Sequence, residues 1–267
     1  MASQVIRSTF LIFLLLSLNA QASSPAFTDV TAEDLENITR DITGIFAHTT
    51  VSAAALYNNE SRVELGLVVG SAETPHIDEI SQRSDSEADV SMIPHASLVG
   101  TFYLGDRLRF EVSYLPEIKT TDTQLGSQSI AAQYTATDPT KPGLDAALKF
   151  YVTSSDLRFK QSDTSGNSDI RFKSNVSGLM LVFSEKILIL EPYFGIGRVN
   201  SVGKLKVDGT GSVFDTSYTT SSKAEESVTG THLIYGINFD IFALQAGLEV
   251  SRVFNANKIS AKFSFNF

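Results

Sequence analysis

The 267 residues carry 30 Asp and Glu against 21 Lys and Arg, a formal net charge of -9. That balance excludes the basic stripe a nucleic-acid partner needs. There is no cysteine, which excludes disulfides, cysteine-ligated metals and lipid attachment at an N-terminal cysteine.

The chain opens "MASQVIRSTFLIFLLLSLNAQASS". Arg7 precedes an apolar run from Phe10 to Leu16, extended by Leu18, and Ala20-Gln21-Ala22 then offers a small-x-small cleavage site. That layout predicts a secretory signal peptide over 1–22. The run is too short to cross about 30 Å of hydrocarbon as a helix. A lead-in segment, 23–60, follows. Within it "TAEDLENITRDITGIF" at 31–46 predicts an amphipathic helix, with Thr31 as cap, Asp34 as the reciprocal capping acid and Leu35, Ile38, Ile42 and Ile45 at helical spacing.

From 61 onward the apolar period is two. Val63, Leu65, Leu67 and Val69 oppose Arg62 and Glu64. Met92, Pro94, Ala96, Leu98 and Phe102 oppose His95, Ser97 and Thr101. Leu108, Phe110, Val112 and Tyr114 oppose Arg107, Arg109 and Glu111. Leu144, Ala146, Leu148 and Phe150 oppose Asp145 and Lys149. A short segment at 155–160 sets Leu157 and Phe159 against Asp156 and Arg158. Ile170, Phe172, Val176, Met180 and Val182 oppose Arg171 and Lys173. Leu190, Pro192, Phe194 and Ile196 oppose Glu191 and Tyr193, and Leu233, Tyr235, Ile237 and Phe239 oppose His232 and Asn238. Leu244, Ala246, Leu248 and Val250 oppose Gln245, Glu249 and Ser251. Last, Ile259, Ala261, Phe263, Phe265 and Phe267 oppose Ser260, Lys262 and Ser264.

These segments predict about ten strands of the length a tilted strand needs to cross a bilayer. Twelve fit as well if 48–57 adds a strand. Short turns at Gly105-Asp106, Ser154, 184–186 and 240–242 alternate with longer polar connections at 71–87, 119–142, 161–168 and 200–228. Outer-membrane barrels have that asymmetry, with short periplasmic turns and longer outer loops. Phe102, Phe239 and Phe267 lie near short-turn ends, as an interfacial aromatic girdle would. An apolar C-terminal strand is an aggregation hazard in water, but not when it closes a barrel facing lipid. The expected fold is all-β: an antiparallel transmembrane outer-membrane β-barrel over 61–267 with a short N-terminal amphipathic helix.

A signal peptide, alternating strands and a terminal "AKFSFNF" together resemble the bacterial outer-membrane β-barrel proteins. The resemblance implies that Phe263, Phe265 and Phe267 form a C-terminal assembly signal read by the barrel-assembly machinery. The N-terminal helix and "EPYFGIG" at 191–197 are similar to short uncharacterised relatives of the long-chain fatty-acid transporter family. That likeness implies a small hydrophobic ligand. The family's Asn-Pro-Ala segment has no match here, so no substrate residue is carried over.

The lumen face is expected to carry Arg62, Glu64, Arg107, Arg109, Glu111, Asp145, Lys149, Asp156, Arg158, Arg171, Lys173, Glu191, Glu249 and Lys262. Near balance of sign in a confined interior predicts ion-pair networks rather than a one-sign filter. Interiors fill with side chains at about eight strands and open into channels at about sixteen, so ten should leave little bore. No cofactor, metal or catalytic set is expected. His76 near Asp78 and Glu79, or His232 with an unmarked serine, could serve a hydrolase; His48 and His95 read as lumen hydrogen-bonders. The expected function is a barrel that admits or binds a small hydrophobic molecule without general porin activity. The alternative is a structural or surface-interaction barrel acting through acidic outer loops, and a barrel-type hydrolase ranks third. Outer-membrane lipid is the expected partner in every case.

Overall fold

The computed structural model describes residues 31–56, 63–83, 91–119, 123–138, 143–163, 166–209, 211–213, 216–218 and 221–267. The expected signal peptide and Arg62 lie outside them. The elements in chain order are α1 (Ala32–Phe46), β1 (Val63–Glu73), α2 (Pro75–Arg83), β2 (Met92–Leu104), β3 (Leu108–Lys119), β4 (Thr123–Thr135), β5 (Leu144–Asp163), β6 (Gly166–Glu185), β7 (Leu190–Gly209), β8 (Gly211–Val213), β9 (Thr216–Tyr218), β10 (Ser221–Ile241), β11 (Leu244–Val253) and β12 (Ala256–Asn266).

Ten strands close into one antiparallel barrel in the order β1-β12-β11-β10-β7-β6-β5-β4-β3-β2, and β8 and β9 form a separate small hairpin. Closure joins the first strand to the last, with Leu67 opposite Phe263 and Leu65 opposite Phe265. Phe267 donates to the Val63 carbonyl at 2.8 Å, so the sheet is paired to its final residue. No edge is left in the barrel to recruit another chain.

The outer wall is apolar. Leu65, Leu98, Phe102, Phe110, Tyr114, Ile130, Leu148, Phe150, Leu181, Tyr235, Leu248 and Phe263 are all at least 41 % exposed. Their strand neighbours Glu64, Glu111, Lys149, Glu249 and Lys262 are at most 4 % exposed. Apolar outside and charged inside inverts the pattern of a water-soluble β-protein, and lipid is the solvent that explains it.

Three expectations need correction. The stretch 119–142 is not one long loop: β4 crosses the wall there, because Ile130, Ala132 and Tyr134 on the outer face supply a weaker alternation against Ser129, Ala131 and Gln133. Ser154 is not a turn. β5 runs unbroken through it for 20 residues, with Ser154 paired to Asn175 and Gln128. One strand missed and one split leave the count at ten. The polar stretch 200–228 is mostly strand too, since β7 reaches Gly209 and β10 begins at Ser221. Strands β5, β6, β7 and β10 have 20 or 21 residues against 10 and 11 for β11 and β12, so the wall stands higher on one side.

The helix lies inside. α1 is closed at its start by a capping box, Thr31 with Asp34, as the sequence predicts. Leu35, Ile38, Ile42 and Ile45 pack with Ile170 and Phe172 of β6, Leu205 of β7, and Ile77 and Ile80 of α2. Those wall residues belong to the end of the barrel remote from the short turns. After Phe46 the chain continues as irregular backbone, 47–56, toward the short-turn end. Of the segment 48–57, the described residues 48–56 therefore add no strand.

Candidate functional site

The bore is the candidate site, and residues 47–56 occupy it. Period-two alternation aims Arg109 and Glu111 of β3, Ser129 and Gln133 of β4, Lys149 of β5, Ser184 of β6 and Glu191 of β7 at this segment. An irregular backbone inside a barrel must find partners for its polar groups, because the bilayer supplies none. Here the wall supplies them. Arg109 donates to the Ala53 carbonyl at 2.6 Å, and Gln133 donates to the carbonyls of Ala53 and Ala54 at 3.1 and 3.2 Å. Thr135 donates to Ala54 at 2.7 Å. The amides of Ala54 and Ala55 both donate to Ser184 Oγ at 3.1 Å. At the upper end Lys258 donates to the Ala47 carbonyl at 2.7 Å.

Glu111, with no exposed surface, is the hub. His48 Nε2 lies 2.8 Å from its carboxylate. Thr50 and Ser52 each donate to it at 2.7 Å. Arg109 Nε and Lys149 Nζ form ion pairs with it at 2.9 and 3.1 Å. Two cations and three hydrogen bonds converge on one carboxylate, and hydrogen bonds to a charged group are the strong kind. Two of the five partners, Arg109 and Lys149, belong to the wall, and the other three come from residues 48–52, so the hub fastens segment to wall.

A second chain of contacts runs across the bore. Ser251 Oγ is 2.9 Å from His232 Nε2, and His232 Nδ1 is 2.8 Å from the Tyr151 hydroxyl. The Tyr151 ring stacks on His48 at 5.7 Å. Tyr151 can lie flat because its cross-strand partner is Gly178; a Cβ there would sit 2.2 Å from the ring. Tyr193 over Gly236 repeats the device and donates to Glu249 at 2.8 Å. A histidine–serine pair therefore exists, but His232 has no exposed surface and both ring nitrogens are engaged. A void of about 40 Å³ remains among His48, His95, Ser129 and Lys258, room for about one water molecule.

Other expected lumen charges take different places. Glu64 accepts from Tyr103 at 3.0 Å and pairs with Lys262 at 2.9 Å. Asp145 accepts from Thr137 at the short-turn end. Glu191 accepts from Ser184 at 2.7 Å. Arg107 is exposed in the β2–β3 turn and donates to Tyr134 on the outer wall. Arg158, Asp156, Arg171 and Lys173 are outside, not inside. On β6 the inward residues are Ile170, Phe172, Val176 and Met180, all buried, while Arg171 and Lys173 are exposed. The face was misread because α1 makes this part of the interior apolar, and the outer face here carries charge. Phe263, Phe265 and Phe267 are 49–68 % exposed on the outer wall.

Sequence reasoning missed Thr50, Ser52, Gln133, Ser184 and Lys258. Lys258 shares parity with Ser260 and Lys262 and was within reach of the alternation; Thr50 and Ser52 carry no local signal. His76 is held by α1, with Nδ1 2.8 Å from Asp41. The amides of His76 and Ile77 also donate to Asp41, at 2.8 and 2.9 Å, so this buried carboxylate caps the start of α2. Burial raises the Asp41 carboxyl above its ordinary value, against the opposing pull of His76 and the two amides. At Asp34 burial also pushes upward, but hydrogen bonds from Thr31 and the charge of Arg83 outweigh it and hold the carboxyl below its ordinary value.

A closed ten-strand barrel with an apolar outer wall and a bore filled by its own lead-in segment defines a transmembrane β-barrel. The chain belongs to a family of unknown function (DUF6588), whose model matches residues 9–267. No curated protein matches it. Similar solved structures include the translocator domain of the autotransporter NalP from Neisseria meningitidis, 8 % identical over 79 % of this chain and 89 % of that one, TM-score 0.43. The Pseudomonas putida toluene transporter TodX is 11 % identical over 81 % and 93 %, TM-score 0.33. Ail, the attachment invasion locus protein of Yersinia pestis, is 10 % identical over 77 % and 97 %, TM-score 0.28.

Proposed function

We propose that this is an outer-membrane barrel of a Gram-negative bacterium that its own N-terminal segment keeps plugged, and that it works through its outer wall and outer end rather than through a standing pore. On this reading residues 1–22 are a signal peptide, the short turns face the periplasm and the terminal phenylalanines serve assembly. The observation that carries it is the Glu111 hub, which fastens residues 48–52 across the bore to Arg109 and Lys149. Purified protein in planar bilayers tests it: no stable pore is expected, and a steady porin-like conductance overturns it.

One observation favours the second reading, admission of a small hydrophobic molecule. The contact between α1 and the wall is an apolar cluster, which such a molecule could replace if the helix moved aside. An Ile38→Asp, Ile42→Asp double variant would loosen that contact. Faster uptake of hydrophobic solutes by cells carrying it, with slow but measurable uptake by wild type, supports this reading; no uptake by either removes it.

A further inference from the structure

Three hairpins of the barrel turn on two residues: Leu188 and Ile189 between β6 and β7, Phe242 and Ala243 between β10 and β11, and Phe254 and Asn255 between β11 and β12. In each, the first of the two is left-handed, with φ of 59° at Leu188, 55° at Phe242 and 54° at Phe254. Hairpins normally give that position to glycine, because a Cβ crowds the neighbouring carbonyl there. A bulky residue in its place needs a compensating contact. Phe254 has one inside the molecule: its ring lies against Gly230 and the buried cluster of the bore. Leu188 and Phe242 point away from the chain and are 89 % and 96 % exposed.

The two outward turns are neighbours. Asp240 of β10 donates its amide to the Ile189 carbonyl at 2.9 Å, and on the other flank Asn266 of β12 donates to the Ala243 carbonyl at 2.8 Å. Leu188 and Phe242 thus share one stretch of rim with Ile187, Ile189, Ile241 and Leu244, which are 49–54 % exposed. Phe267 ends the stretch, 68 % exposed. Along β10 and β11 it runs into the apolar outer wall at Tyr235 and Leu248. A contiguous exposed apolar patch marks an interaction surface. Across the ring of ten strands the same rim is polar: the β2–β3 turn exposes Gly105, Asp106 and Arg107.

We infer that the β6–β7 and β10–β11 turns are set into lipid, with Leu188 and Phe242 at the headgroup–acyl boundary of the periplasmic leaflet, while the β2–β3 turn stands in water. The barrel is then tilted, drawn further into the bilayer at β7 and β10 than at β2 and β3. The inference rests on the proposed membrane placement, with the short turns on the periplasmic side. Continuity selects the occupant: the wall above these turns faces lipid, and the apolar surface does not stop where the strands do. Glu185 and Lys186 beside the first turn fit the same zone, because the boundary holds charged heads and apolar side chains together; Lys186 pairs with Asp240 at 3.3 Å. Lipid contact at the two tips offsets the left-handed backbone that Leu188 and Phe242 adopt.

The chain contains no tryptophan, so a single introduced indole reports its own surroundings. Phe242→Trp, Leu188→Trp, Asp106→Trp and, as the wall reference, Phe263→Trp are folded into phosphatidylcholine vesicles with and without brominated acyl chains. Emission of the Phe242 and Leu188 variants should lie to the blue of the Asp106 variant, and bromine should quench it at least about twofold more strongly. Ile189→Trp replaces Leu188→Trp if an indole at the left-handed position impairs folding. Water-like emission and weak quenching at either turn, with Phe263→Trp quenched, overturns the inference and leaves the lipid placement of the wall intact; that is also the result expected if the patch docks a periplasmic protein instead. Equal quenching of Asp106→Trp overturns the one-sided immersion. An unquenched Phe263→Trp defeats the membrane placement itself, and the inference with it.

Discussion

Lys262 Nζ of β12 lies 2.9 Å from Glu64 Oε1 of β1, so an ion pair ties the last strand to the first inside the seam. Both side chains are at most 3 % exposed. Gln245 accepts from the same ammonium at 2.5 Å, and Tyr103 donates to the same carboxylate at 3.0 Å. Removing one partner of such a pair leaves an uncompensated buried charge, at a cost of about 3–5 kcal/mol. Lys262→Met should therefore destabilise the barrel by about that much, while Lys262→Met with Glu64→Gln should recover more than half of the loss. Denaturant midpoints in micelles, followed by circular dichroism, measure both.

The lipid face of the same strand offers a gradient. Phe263 and Phe265 are 56 % and 49 % exposed on the outer wall, and Phe265 stands nearer the short-turn end. A lysine on a lipid face costs about 2–4 kcal/mol near the midplane and about 0–1 near the interface. Phe263→Lys should thus lower the unfolding midpoint clearly more than Phe265→Lys. Ser264→Lys is no harmless control between them. Ser264 is fully buried, and a lysine there would have to displace the side chains packed around it. Heat-modifiable migration on gels ranks the three, and equal effects of the two phenylalanine changes would contradict the lipid assignment.

The barrel was legible because alternation is a backbone property: a period of two survives whatever fills either face. What sits on each face was less legible. On β3, Arg109 and Glu111 oppose Phe110 and Val112, and the polar side is the inside. On β6 the same rule fails, since Ile170 and Phe172 turn inward to meet α1 while Arg171 and Lys173 stand outside. A strand sequence does not record that a helix from elsewhere in the chain will make part of the bore apolar. β4 was hidden for a related reason: Ser127, Ser129 and Gln133 face a hydrogen-bonded interior, and Gln128 and Gly126 dilute the outer face. The hub was half visible. Glu111, Arg109 and Lys149 follow from parity, but Thr50 and Ser52 become its partners only because α1 delivers the segment after it into the bore.

The tyrosine–glycine pairs give a packing test. A Cβ on Gly178 would meet the Tyr151 ring at 2.2 Å, and the ring is held by His232 on one side and stacked on His48. Gly178→Val should displace Tyr151, leave the buried His232 ring short of a partner and loosen His48 against Glu111. Overpacking costs about 1–3 kcal/mol, and an unsatisfied buried polar group adds about 1–3 kcal/mol. Tyr151→Phe isolates the second cost, and should be the milder change. If Gly178→Val and wild type unfold at the same denaturant concentration, the close approach is not a constraint on the fold.

Two acids on α1 give opposite pH signatures. Asp34 is held below its ordinary value, because Thr31 and Arg83 outweigh its burial. The folded state then binds this proton less tightly than the unfolded state does. Its stabilising contribution is complete above the ordinary carboxylate value and is lost as pH falls through the depressed one. Asp41 is raised by burial, although His76 and the amides of α2 pull against that. Its contribution has the other sign: it is present below the ordinary value and is lost as pH rises through the raised one. Asp34→Asn should therefore cost most at neutral pH, and the gap to wild type should close on acidification. For Asp41→Asn the balance should shift in the variant's favour as pH rises through the same region. Unfolding midpoints across that range measure both differences. Parallel curves for wild type and Asp34→Asn would show that the Asp34–Arg83 contact between α1 and α2 does not contribute to the stability of the plugged state.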